Sequence, residues 1–208
     1  MNNLHSLNIR VFLSLSLLFI FTSGVKGQVA LDSANRDAKY VQSIVGRAQK
    51  IVNGLEITND YSKKNVLNII ANRYFKLSDI DNKFKKDKNA LQAELYKHHF
   101  EFAADLSNYL SEKQIEQVKD GMTYGVVPKT YQAHLDMIPT LKEHEKLQIL
   151  NWLKEAREFA IDAGNSKEKH AWFGKYKGRI NNWLTKQGYD LKAERAGWYK
   201  RIEENKKK

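Results

Sequence analysis

The run from Asp60 to Lys86, DYSKKNVLNIIANRYFKLSDIDNKFKK, decides the fold class. Its apolar residues Val66, Ile70, Tyr74, Leu77, Ile80 and Phe84 recur at three- and four-residue steps, the spacing of one helix face. It holds neither Pro nor Gly, and it is far too long for a strand. Lys85, Lys86 and Lys88 at its end complement the helix dipole. The same period continues outward in both directions. On the N-terminal side, Val41, Ile44, Val45, Ala48, Ile51 and Val52 stripe a helix over about residues 32–53, and Gly54 stops it. On the other side, Leu91, Leu95, His98, Phe102, Leu106 and Tyr109 stay in register over about residues 90–110.

Ser111 and Gln114 form a capping box, with Leu110 and Ile115 as its hydrophobic staple, and open a helix that ends at Gly121. Met122-Thr123-Tyr124-Gly125-Val126-Val127-Pro128 lacks helical period. It reads as an ordered non-helical loop over 121–129. A short helix over about residues 130–137 follows, closed by Pro139. Thr140 and Glu143 make a second capping box for a helix over 141–163. Ser166 caps another reaching Gln187, and Asp190 caps a last one through about Glu204. The spacing predicts an all-α, single-domain bundle of about seven helices over 28–208, with a disordered basic tail at 203–208. No internal repeat or linker interrupts it.

Ahead of the bundle, Val11 to Phe21 is apolar except for Ser14 and Ser16. A membrane-crossing helix needs about 20 apolar residues, so this run suits a signal-peptide core instead. Val25 and Gly27 fit the small-residue pattern of a cleavage site. The reading is a signal peptide over 1–27, cleaved before Gln28, with a periplasmic or secreted product and no integral membrane segment after cleavage. The 208-residue chain contains no Cys. That excludes disulfides and the cysteine-linked lipoprotein anchor.

The chain carries 35 Lys and Arg against 24 Asp and Glu. From Leu141 onward the count is 17 against 10. A basic surface suits nucleic acid, anionic lipid or acidic polysaccharide, and export removes nucleic acid as the partner. No phosphate loop, nucleophile elbow or HExxH motif is present, and nothing marks a catalytic residue, a metal site or a cofactor. His98 and His99 are adjacent on a helix and point about 100° apart, so they do not chelate one metal. Each histidine is read by default as structural or solvent-facing.

Two features stand out. The first is the 121–129 loop, where Tyr124 sits between Thr123 and Gly125, followed by Tyr131 and His134 on one helix face. The second is the C-terminal segment. All four tryptophans, Trp152, Trp172, Trp183 and Trp198, follow Leu141. Trp172, Tyr176, Arg179 and Trp183 offer rings that stack on sugar C–H faces, and a guanidinium that suits uronic acids. Gly174 and Gly178 within the same helix predict a close approach by a neighbour or ligand. Trp-rich packing between helices is the competing reading of this stripe.

Gly121 to Tyr131 (GMTYGVVPKTY) and Ala171 to Leu184 (AWFGKYKGRINNWL) resemble a family of exported helical domains of unknown function from Bacteroidetes. That family is described as sugar-binding and accompanies polysaccharide-degradation systems. The resemblance covers nearly the whole segment after the leader. It implies a periplasmic or surface setting and a glycan context. The function expected is therefore a non-catalytic carbohydrate-binding or accessory domain. Its sugar site would use Tyr124, Tyr131, His134, Trp172, Tyr176, Arg179 and Trp183, and its partner would be an oligosaccharide or polysaccharide, with acidic glycans suited to the basic residues. The sequence leaves open whether segments 121–134 and 170–184 form one site; a shared, solvent-open pocket holding Tyr124 and Arg179 would favour the binding reading. Two alternatives accompany it. A periplasmic chaperone or envelope-stress module is suggested by Leu110-Ser111-Glu112-Lys113-Gln114, which resembles the Leu-Thr-x-x-Gln motif of such proteins. A polysaccharide lyase or hydrolase is the other.

Overall fold

Residues 27–207 are described by a computed structural model. The leader lies outside the described residues, apart from Gly27, the residue before the expected cut. Asn65, Asn68 and Asn72 explain the first feature of the fold. They lie on one face of a helix, and their amides clasp an extended segment. Asn65 Oδ1 accepts from Val29 N (2.6 Å), Asn68 Nδ2 donates to Val29 O (2.8 Å) and Asn72 Nδ2 to Ala30 O (2.8 Å). Arg36 then pins the end of this segment, pairing with Asp79 at 2.7 Å and lying over the Phe75 ring. Residues 32–37 are therefore not helical. The first helix, α1 (Ala38–Asn53), starts only where Asp37 accepts from Tyr40 N.

Eight further helices follow among the described residues: α2 (Asp60–Phe84), α3 (Lys88–Lys97), α4 (His99–Ser107), α5 (Glu112–Met122), α6 (Val126–Met137), α7 (Glu143–Ala160), α8 (Ser166–Lys186) and α9 (Leu191–Lys206). No strand occurs among those residues, and none of the helices is long and apolar enough to cross a membrane. The all-α bundle is as expected, with more pieces. The extra break falls at His98. Its carbonyl accepts from Arg73 Nη1 (2.9 Å), while its ring is held by Glu94 and Glu101. A carbonyl turned toward a buried guanidinium cannot continue a straight helix, so the predicted 90–110 helix becomes α3 and α4.

The expected 121–129 loop also contracts. Met122 is helical, and only Thr123-Tyr124-Gly125 form a turn. Tyr124 and Gly125 both take left-handed backbone, at φ 62° and 64°. Val126, Val127 and Pro128 are the first turn of α6, where a missing proline N–H costs nothing. The Thr140–Glu143 box is displaced by two residues. α7 begins after Lys142, whose N–H donates to Glu145 Oε2 (2.8 Å). Ser111–Gln114 and Asp190 cap as read, and Asn165 rather than Ser166 caps α8. Residues 203–206 form the last turn of α9, with Lys206 on Glu203 at 2.9 Å.

Packing divides the bundle into two apolar cores. The first joins α1, α2, α4 and α5 around Ile44, Ala48, Val66, Phe75, Leu106 and Val118. The second joins α6 to α9 around Val127, Ile149, Leu153, Phe173, Ile180 and Leu184. α3 is held by a small third cluster of Leu77, Ile80 and Leu95. Between the two large cores runs a seam of charge. Arg157 on α7 is 1% exposed and pairs with Glu116 (2.6 Å) and Asp120 (2.8 Å) on α5. Burial opposes ionisation of Glu116, yet Arg157 and Lys154 hold its carboxyl down at about 2. Arg73 on α2 pairs with Asp162, just past α7. Breaking a buried pair strands the remaining charges. Arg157→Ala is expected to cost about 3 kcal/mol or more, read as a lower denaturant midpoint.

Candidate functional site

A cleft of about 690 Å³ opens along this seam. α7 and α8 supply one wall. Phe159 stacks on Trp172 with ring centres 4.6 Å apart and planes 18° from parallel, and Lys175 Nζ sits 5.0 Å over the Trp172 ring. α3 and α4 supply the other wall. Tyr96 and Phe100 meet edge to face at 6.1 Å and remain 71% and 67% exposed. This exposure leaves two large rings side by side at the surface. It follows from the break at His98, which turns the off-stripe face of α3 and α4 toward the cleft instead of into the first core.

Charged groups gather at the cleft's inner end. His99 Nδ1 donates to Asp162 Oδ2 (2.6 Å), and the other Asp162 oxygen accepts from Arg73. This fixes the imidazole and leaves its Nε2 4.0 Å from Glu158 Oε2. Glu158 in turn pairs with Lys119 at 2.8 Å. The Asp162 hydrogen bond raises the His99 pKa above its ordinary 6.5, against burial and the Arg73 charge. Lys169 lies beneath this end, 4% exposed, with Nζ on the carbonyls of Ala160 (3.0 Å) and Ile161 (3.3 Å) at the α7 terminus. Burial pulls its pKa down to about 8. At the mouth, Gly164 lies so close to α2 that a Cβ there would stand 3.0 Å from Asp81 Cβ. No group of three or more His, Asp or Glu side chains among the described residues is arranged to hold a metal.

The structure scatters the seven residues singled out in the sequence. Trp172, Tyr176, Arg179 and Trp183 do share one face of α8, which packs on Trp152, Glu155 and Phe159 of α7. Trp183 meets Trp152 edge-on at 5.3 Å, and Arg179 lies 4.9 Å over Tyr176 and 3.4 Å from Glu155. Tyr176 is 4% exposed, and burial, with Glu155 beside it, pushes its hydroxyl up to about 12. Of the four, only Trp172 lines the large cleft. Tyr124 stacks on His170 at 5.3 Å. Tyr131 packs into the second core, and His134 is buried at a separate, smaller pocket. Neither Tyr124 nor Arg179 lines the cleft or the smaller pocket. Gly174 and Gly178 face open space, and a Cβ added at either would meet nothing within 4 Å. No neighbouring helix approaches these two glycines, which lie on the outer face of α8.

His99, Asp162, Glu158, Phe159, Tyr96 and Phe100 escape the sequence reading. Tyr96 and Phe100 carry a signal, since both are large rings four apart and off the apolar stripe. The His99–Asp162 pair carries none, because its members lie 63 residues apart.

An aromatic-walled cleft with a polar inner end, set in a helical bundle, has the form of a concave ligand site. The chain belongs to the family described as a protein of unknown function, DUF3826, whose profile matches residues 41–86 and 80–204. It matches no curated protein.

A raised histidine adds stability that is complete below pH 6.5 and is lost as pH rises through the raised value. His99→Gln should therefore narrow its Tm gap to wild type as pH rises through that interval. An NMR titration should place the His99 midpoint above 6.5, and a midpoint at or below 6.5 would contradict the assignment.

Proposed function

We propose that this chain is an exported carbohydrate-binding domain whose site is the cleft between α3–α4 and α7–α8. The observation that carries the proposal is the lining of one cavity of about 690 Å³ by two aromatic pairs, Phe159–Trp172 and Tyr96–Phe100. Sugar rings present flat C–H faces to such rings and hydroxyls to the groups between them. Glu155, Glu158, His99 and Lys175 line the same space and provide both acceptors and donors. The volume suits one or two sugar residues of a longer chain. The apolar leader at 11–21 supports a location outside the cytoplasm, where free glycans are met.

Calorimetric titration with a panel of neutral and acidic plant oligosaccharides tests this reading. Trp172→Ala should weaken binding roughly tenfold, about 1.4 kcal/mol. An absence of heat across the whole panel would end it.

A second reading, a hydrolase or lyase acting on the bound glycan, is favoured by one feature. His99 is oriented by Asp162, and its Nε2 and Glu158 line the cleft 4.0 Å apart. A positioned imidazole beside a carboxylate has the parts of general acid–base chemistry. The wild type would then release reducing ends or unsaturated products that His99→Ala does not. Silence of the wild type across the same panel would remove catalysis and leave binding intact.

A further inference from the structure

The second pocket has a chemistry unlike that of the cleft. It measures about 460 Å³ and lies between α6, α8 and α9. Lys129, Lys177 and Arg195 line it, and no carboxylate does. Lys177 and Arg195 form no ion pair among the described residues, although carboxylates hold many other basic side chains of this bundle, such as Lys119, Lys146 and Arg157. Among the described residues, Lys129 Nζ donates to the Tyr124 carbonyl at 3.1 Å. Like charges gathered without a counter-charge repel one another, so the arrangement is poised for an anion.

The floor and far wall define what kind of anion. His134 is 3% exposed, and its Nδ1–H donates to Thr130 O at 2.7 Å. Burial, with Lys177 adding to it, lowers its pKa below the ordinary 6.5. The floor is the His134 ring, with the Asn181 amide hydrogen-bonded beside it. Trp198 and Tyr199 stack at 5.6 Å and 19° along the α9 side, Trp198 half-buried and Tyr199 56% exposed. They present an apolar face next to the cations. A bare inorganic ion needs no aromatic wall.

We infer that this pocket is a binding site for an acidic sugar. Its carboxylate sits among Lys177, Arg195 and Lys129, its ring lies against Trp198–Tyr199, and its hydroxyls reach Asn181. The anion half of this assignment is independent of the cleft; the sugar half rests on the glycan reading proposed above.

The test is calorimetry on the full chain with galacturonate, galactose and inorganic sulfate. Galacturonate should bind, more weakly as salt rises, and the double variant Lys177→Ala/Arg195→Ala should lower its affinity at least tenfold. Both side chains are exposed and unpaired, so the fold should survive, as circular dichroism would check. Trp172→Ala should leave galacturonate binding here unchanged, and the double variant should leave neutral oligosaccharide binding in the cleft unchanged. Galacturonate binding no tighter than galactose, or untouched by the double variant, would overturn the site. Sulfate binding as tightly as galacturonate would overturn the acidic-sugar assignment. Loss of oligosaccharide binding in Trp172→Ala with galacturonate binding retained separates the two sites, and failure of either one is visible without the other.

Discussion

The two buried guanidinium groups, Arg157 and Arg73, hold this molecule together as one bundle. Each apolar core is complete on its own side, one built by α1, α2, α4 and α5, the other by α6 to α9. What crosses between them is largely charge. Arg157 binds α7 to α5 through Glu116 and Asp120, and Arg73 binds α2 to the end of α7 through Asp162. A guanidinium taken out of water must be paired on as many sides as its neighbours allow. The carboxylates that satisfy this demand thereby fix how the halves sit. The Nε atoms of both arginines remain buried without a partner, so the pairing is strong but incomplete.

The cleft follows from that seam. Polar groups cannot be sealed under apolar side chains without cost, so the junction stays partly open on one side. Asp162 serves both purposes at once. One oxygen closes the seam through Arg73, and the other orients His99 at the inner end of the cleft. The His98 carbonyl, drawn to Arg73, breaks the helix and swings Tyr96 and Phe100 into view. A single buried arginine therefore shapes the floor and one wall of the proposed glycan site. The small pocket at α6, α8 and α9 owes nothing to the seam, which is why its chemistry differs.

Much of the fold is legible in the chain because helix signals are local. The Asp60–Lys86 period, the Ser111–Gln114 box and the Asp190 cap need only neighbours within a few residues. Structure and sequence part where local rules compete. Pro128 suggests a loop, yet a proline in the first helical turn gives up no bond, and α6 starts before it. Thr140–Glu143 satisfies the capping pattern, but Tyr189 donating to Glu145 at 2.6 Å favours the frame two residues on. The α8 stripe of Trp172, Tyr176, Arg179 and Trp183 reads as one face, which it is. Whether that face meets solvent or α7 depends on the partner helix, and periodicity says nothing about partners. The cleft itself joins residues 96–100 to 158–172, a meeting that no local pattern records.

The break at His98 has one more effect. It leaves α3 attached through Leu95 and a few neighbours, while α4 stays anchored in the first core by Phe102 and Leu106. Elements with little buried apolar surface open locally at a free-energy cost well below that of global unfolding. α3 is held by its own small apolar cluster and by the His98 clamp, in which Glu94 and Glu101 grip the ring and Arg73 the carbonyl. One rim of the cleft, Lys88 to Tyr96, therefore belongs to a short helix that lies outside both large cores.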